Sequence, residues 1–206
     1  MTFLSLLGLI CSATCFGQPI PAEEFVRGDK LKFNSKDHPK ARGIELSIEY
    51  PRSWRALEGE RPNILQKFVS ESGRGLEMAI ITIKALPLPV GVTPSKNELE
   101  DIFSPEGLKE MVPAGGKFIE AKKTKIDNQP AGFFVYLLPM ERANLKLLMS
   151  IQSYVVYFRG NLVYVAFQVG EVDGERAASS VGVKARRFAP LYQLMANSII
   201  VHNQYK

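Results

Sequence analysis

From residue 44 to residue 50 the chain reads Ile44-Glu45-Leu46-Ser47-Ile48-Glu49-Tyr50, apolar at every even position and polar between. That is the alternation of a half-buried strand, and Pro51 ends it. Two further strands are expected over residues 63–70 and 77–85, joined around Gly73-Arg74-Gly75. The second carries Met78, Ala79, Ile80, Ile81 and Ile83, so it is apolar on both faces and belongs in the middle of its sheet.

Two short helices follow the turn-rich stretch from Pro87 to Pro94. Ser95-x-x-Glu98 is a capping box, and Leu99, Ile102 and Phe103 make the apolar stripe behind it. Ser104-Pro105 opens the second helix, with Leu108, Met111 and Val112 as its stripe, and Pro113 and Gly115-Gly116 stop it. Residues 117–126 predict a strand whose exposed face carries Lys123 and Lys125. Asp127-Asn128-Gln129-Pro130 is a turn, and residues 133–138 return. Alternation resumes through Leu145, Leu147, Met149, Ile151, Val155 and Tyr157; Gly160-Asn161 turns the chain, and Val163, Val165, Phe167 and Val169 carry it back.

Consecutive strands with tight turns make an antiparallel sheet. Residues 170–182 are polar and rich in Gly and Ser, the composition of a loop. Phe188, Leu191, Tyr192 and Met195 have helical spacing, and Pro190 places the start of that helix near Arg187, within a turn of the proline. Residues 198–201 predict a last strand. The expected fold class is α+β: a single domain with a central antiparallel β-sheet flanked by helices.

The N-terminus changes the picture of where this domain works. No charged side chain precedes Glu23, and residues 3–10 form an apolar run followed by Cys11, Ser12, Ala13 and Thr14. This is a signal-peptide pattern without the usual cationic start; cleavage is expected after Gly17. The organisation expected is a signal peptide over 1–17, a flexible lead-in over 18–32 and the folded domain over 33–206. Both cysteines, Cys11 and Cys15, would leave with the leader, so the mature body has no disulfide and depends on core packing. Ser12-Ala13-Thr14-Cys15 loosely matches a lipobox; a lipidated Cys15 is the alternative, and the one route to a membrane. With no Asn-x-Ser/Thr sequon, the expected setting is a bacterial periplasm or envelope.

Candidate chemistry is sparse. Hydrophobic residues at 46% and charged ones at 23% are globular values. The two histidines, His38 and His202, stand far apart, and neither zinc-site, nucleophile-elbow nor phosphate-loop spacing occurs. No catalytic residue, metal site or cofactor is therefore expected. The alternatives are an envelope enzyme using carboxylates such as Glu98, Asp101 or Glu141, and a carrier of an apolar ligand. Net charge is +5, concentrated in Lys36/Lys40/Arg42, Lys122/Lys123/Lys125 and Lys184/Arg186/Arg187. In an exported protein such clusters suit an acidic protein partner, not nucleic acid. Trp54, the single tryptophan, reads as a core anchor past a strand end, or as an exposed aromatic at a binding groove. The candidate contact residues are thus Trp54, Lys122, Lys123, Lys125, Arg186 and Arg187.

Ile48-Glu49-Tyr50-Pro51-x-x-Trp54, the segment Ile126-Asp127-Asn128-Gln129-Pro130-Ala131-Gly132-Phe133 and the ending Asn197-Ser198-Ile199-Ile200-Val201 together resemble the PsbP/Mog-like superfamily. The resemblance runs from Phe33 to Val201. It implies a central antiparallel sheet flanked by helices and a non-enzymatic accessory role, as in photosystem accessory proteins, a Ran-binding protein, envelope lipoproteins and secretion-system adaptors. It carries over no site residue. The expected function is an exported envelope protein that docks a protein partner, of adaptor or immunity type.

Overall fold

The strand alternation in the sequence builds two antiparallel sheets in the computed structural model, which describes residues 21–71, 76–89, 92–142 and 144–205. The larger sheet has seven strands: β3 (Trp54–Glu58), β4 (Ile64–Ser70), β5 (Met78–Ala85), β6 (Lys117–Ile126), β7 (Gln129–Arg142), β8 (Leu145–Phe158) and β9 (Asn161–Val172). Their spatial order is β3-β4-β5-β9-β8-β7-β6, every neighbour antiparallel. A smaller sheet pairs β1 (Lys30–Asn34), β2 (Leu46–Pro51) and β10 (Ile200–Val201), with β2 in the centre. The expected α+β class with a large antiparallel sheet is what the chain forms.

Each face of the large sheet has its own core. On one side lie α1 (Pro21–Val26), the small sheet and α4 (Ala177–Asn197), enclosing Leu46, Ile48, Phe68, Ile81, Phe167 and Tyr192. On the other lie α2 (Lys96–Ile102) and α3 (Pro105–Glu110), over Phe134, Tyr136, Met149, Ile151 and Val155. Both helix starts are as expected. Ser95 and Glu98 close a reciprocal capping box, and the Ser104 hydroxyl accepts from the Gly107 N–H. Leu108 lies so close to Gly132 of β7 that a Cβ there would stand 2.3 Å from its Cδ2. Glycine is thus what seats α3 on the sheet.

Three expectations change. The lead-in expected over 18–32 is structured where it is described: α1 buries Ala22 and Phe25, and β1 pairs Leu31 with Tyr50 and Phe33 with Ile48. Glu24 anchors it by accepting from the Ser53 N–H at 2.7 Å. The loop expected over 170–182 shrinks to residues 173–176, between the end of β9 and the first turns of α4. Gly170 is no turn residue; a Cβ would meet the Met149 sulfur on β8 at 2.5 Å. The helix begins ten residues earlier than Pro190 suggests. Ala177 and Val181, both buried, extend the stripe of Leu191, Tyr192 and Met195. Pro190 lies on the exposed side, where water can solvate the Arg186 carbonyl that its missing N–H leaves unpaired. The segments 1–17 and Gly73-Arg74-Gly75 lie outside the described residues.

Tyr192 fastens α4 to the sheet. It is 1% exposed, stacks on Phe167 at 4.9 Å, meets Trp54 edge-on at 6.5 Å and donates its hydroxyl to the Gln168 carbonyl at 2.9 Å. Trp54 makes its own environment a probe of this packing. Tyr192→Ala is expected to cost about 3–5 kcal/mol and Tyr192→Phe, which loses the hydrogen bond alone, about 1 kcal/mol. Equilibrium urea unfolding followed by Trp54 fluorescence measures both; equal losses for the two variants would contradict the packing role.

Candidate functional site

An antiparallel sheet exposes unpaired backbone groups along its outer strands. Here the two outer strands differ. β3 is five residues long, and Lys40 closes its end: its Nζ donates to the Gly59 carbonyl and pairs with Glu58 at 2.8 Å. β6 is ten residues long and, among the described residues, no strand pairs with its outer edge.

Register fixes where the β6 lysines stand. Lys123 is opposite Gly132 and Lys125 opposite Pro130, so both lie on the face that carries α3. Lys122 is opposite Phe133 on the α4 side, with its ammonium 5.0 Å from the Phe133 ring. All three are exposed. A register shift between Phe118 and Glu120 leaves Ile119 48% exposed beside them. The bulge twists the outer strand and presents an apolar side chain next to a basic row.

Of the other candidate contacts, Arg186 and Arg187 are exposed on α4, which packs on β8 and β9. The strand order puts β7 between these and β6, so the structure does not gather the two basic groups on one element. Trp54 is 5% exposed and belongs to the core with Tyr192. The reading of its indole as an exposed groove contact is therefore corrected: as the first residue of β3 it faces α4, not solvent.

A second constellation escaped the sequence reading. Glu77, just before β5, is 6% exposed, and its Oε2 has no hydrogen-bond partner. Lys184 of α4 stands 4.0 Å from its Oε1 and 3.0 Å from Glu171 Oε2 on β9, while Ser180 donates to the same Glu171 oxygen at 2.7 Å. Glu171, Glu175, Arg176 and Ser180 line an open depression of about 700 Å³ at the start of α4. Burial pushes the Glu77 carboxyl up from the usual 4.5, and Lys184 only partly opposes this. The Ser180 hydroxyl, and then Lys184, hold Glu171 below 4.5. Only a charge at the head of a doubly apolar strand hinted at Glu77; Glu171 fell in the segment read as loop, and Lys184 belongs in sequence to the basic cluster with Arg186 and Arg187.

Of the remaining ionisable candidates, Glu98, His38 and His202 have structural partners. Glu98 is held below its usual value by the Ser95 backbone N–H and hydroxyl, the direction opposite to that of a general acid. Asp101 lies on α2 and Glu141 on β7. His38 Nδ1 accepts from the Lys40 N–H at the turn Pro39–Ala41, and His202 Nε2 lies 2.9 Å from Ser47 Oγ. Among the described residues no three His, Cys, Asp or Glu side chains converge as a metal site, and no helix is long and apolar enough to cross a membrane.

No family model and no curated protein matches the chain. Solved structures do. The chain is similar to the solution structure of cyanobacterial PsbP from Synechocystis, at 15% identity and TM-score 0.47, over 84% of this chain and 92% of that one. LpqN, described as involved in cell envelope biogenesis of Mycobacterium tuberculosis, is 13% identical, with TM-score 0.47 over 85% and 93%. The Ran-binding protein Mog1p of Saccharomyces cerevisiae is 12% identical, with TM-score 0.48 over 84% and 95%. Structures of a PsbP and of Mog1p are thus among those the chain is similar to.

The opposed carboxyls make stability depend on pH in two senses. Glu77, raised in the native state, contributes most when protonated; its contribution is lost as pH climbs from 4.5 through its native value. Glu171, lowered, contributes above 4.5 and loses that contribution as pH falls through its native value. Urea unfolding across pH 3–8 is expected to show that Glu77→Gln removes a decline between 4.5 and neutrality, while Glu171→Gln lowers stability at neutral pH. A Glu77→Gln curve parallel to the parent's throughout would refute the assignment.

Proposed function

We propose that this protein is an exported bacterial envelope protein that performs no chemistry itself and docks a protein partner along β6. The observation that carries the reading is the contrast between the two sheet edges. The β3 edge is five residues long and Lys40 closes its end, whereas β6 runs ten residues and, among the described residues, no strand pairs with its outer edge. An outer strand of this length is a ready template for strand addition, in which main-chain hydrogen bonds supply affinity and alternate side chains supply selectivity. Export is supported by the uncharged leader and the cleavage pattern ending at Gly17. A domain without mature cysteines is compatible with either an oxidising or a reducing compartment, so the leader alone bears on address.

The experiment joins the two halves of the reading. A photoreactive side chain is placed at Ile119 on β6, or at Val183, which is also exposed, on α4, in cells producing the full chain. Irradiation is expected to give one dominant adduct from Ile119 in the envelope fraction and far less from Val183. The intact mass of the purified product is expected to correspond to a chain starting at Gln18; a diacylated Cys15 start would place the protein on the membrane instead. Recovery of the uncleaved chain in the cytosol, or adducts from Val183 alone, would defeat the proposal.

A further inference from the structure

We infer that β6 accepts an acidic, extended segment of its partner, added to the large sheet as an eighth strand. The inference rests on β6 being the docking edge and adds the chemistry of what docks there. At about 3.3 Å per residue the edge is a template about 33 Å long. It carries Lys117, Lys122, Lys123 and Lys125 against the single carboxylate Glu120. None of these lysines forms an ion pair with a described carboxylate.

Their arrangement matches the geometry of a strand. Lys123 and Lys125, two residues apart, share the α3 face, and Lys122 points to the other. Side chains of an added strand alternate in the same way and lie opposite their partners at about 5 Å. Acidic residues at every second position would meet Lys123 and Lys125, and one at an intermediate position would meet Lys122. Ile119 at the bulge offers an apolar contact at the far end.

The same row excludes other occupants. A second copy pairing through β6 would bring lysine rows together, and like charges opposite one another are destabilising. The chain's own leader has no acidic side chain before Glu23, so it lacks the complementary charge. Lysines on an edge thus reject self-association while remaining receptive to a strand of opposite sign.

The test uses the purified protein and three ten-residue peptides in which Thr alternates with Glu, Gln or Lys, together with phosphatidylglycerol vesicles. Affinity is read by fluorescence anisotropy and the site by backbone amide exchange. The Glu peptide is expected to bind at least about tenfold more tightly than the Gln peptide and to slow exchange within residues 117–126. Lys123→Glu/Lys125→Glu is expected to reverse the preference toward the Lys peptide, and Lys123→Gln/Lys125→Gln to abolish it, with unchanged urea midpoints showing that both variants fold. Equal protection of β6 by the Glu and Gln peptides would overturn the charge class while leaving edge docking intact. Glu-peptide binding without β6 protection would overturn strand addition, and so would binding confined to vesicles. Failure of every peptide, together with no adduct from Ile119, would defeat both this inference and the reading beneath it.

Discussion

An open β-sheet has to end, and the backbone donors and acceptors of its last strand must be satisfied by water, by neighbouring groups or by another chain. That constraint organises this molecule. The seven-stranded sheet is covered on one face by α1, α4 and the small sheet and on the other by α2 and α3, so its edges are the places left open. At the β3 edge, Lys40 reaches from the turn Pro39–Ala41 to Glu58 and the Gly59 carbonyl. Among the described residues, no comparable side-chain bond is directed at the outer edge of β6. Its far end is nevertheless firmly held: Asp127, in the turn after β6, accepts from the Val201 N–H at 2.8 Å and the Tyr205 hydroxyl at 2.6 Å. The edge is therefore a rigid one, fixed by the C-terminal segment, and a strand added to it would need little ordering of the receptor.

Much of this was legible from alternation alone. β2 and the β8–β9 hairpin fall where apolar residues recur at every second position, β5 falls where they fill both faces, and the capping residues Ser95 and Ser104 mark α2 and α3 to the residue. Two strands were missed for opposite reasons. β1 has the alternation, in Leu31 and Phe33, but is only five residues long and was absorbed into a Pro-bearing lead-in. β3 has one buried residue, Trp54, which is covered by Tyr192 of α4, a contact that no local pattern reveals.

The N-terminal half of α4 shows how composition can mislead. Ser179, Ser180 and Gly182 read as loop, and Pro190 as a start signal. The competing signal was the spacing of Ala177, Val181 and Ala185, a weak stripe because its side chains are small. Burial against β9 outweighs the local preferences: intrinsic helix propensity differs by at most about 1 kcal/mol for every residue except proline. The same tertiary step created the Glu77–Lys184–Glu171 group, whose members come from the approach to β5, from α4 and from β9. A charge can be recognised in sequence; that a second element will bury it cannot.

The two basic groups illustrate why position in the fold decides what a charge does. Lys184 is drawn between two carboxylates and works inside the protein, joining α4 to the sheet at the end opposite Tyr192. Lys123 and Lys125 have the same chemistry on an outer strand, where the nearest backbone is unoccupied. Lysine stems can lie along apolar neighbours such as Phe133 while their heads stay in water, so such a row keeps the edge soluble without closing it. Protection against self-pairing and selectivity toward an acidic strand then follow from one electrostatic arrangement. Neutralising the lysines would remove the repulsion between two β6 edges and the attraction for a strand of opposite charge together.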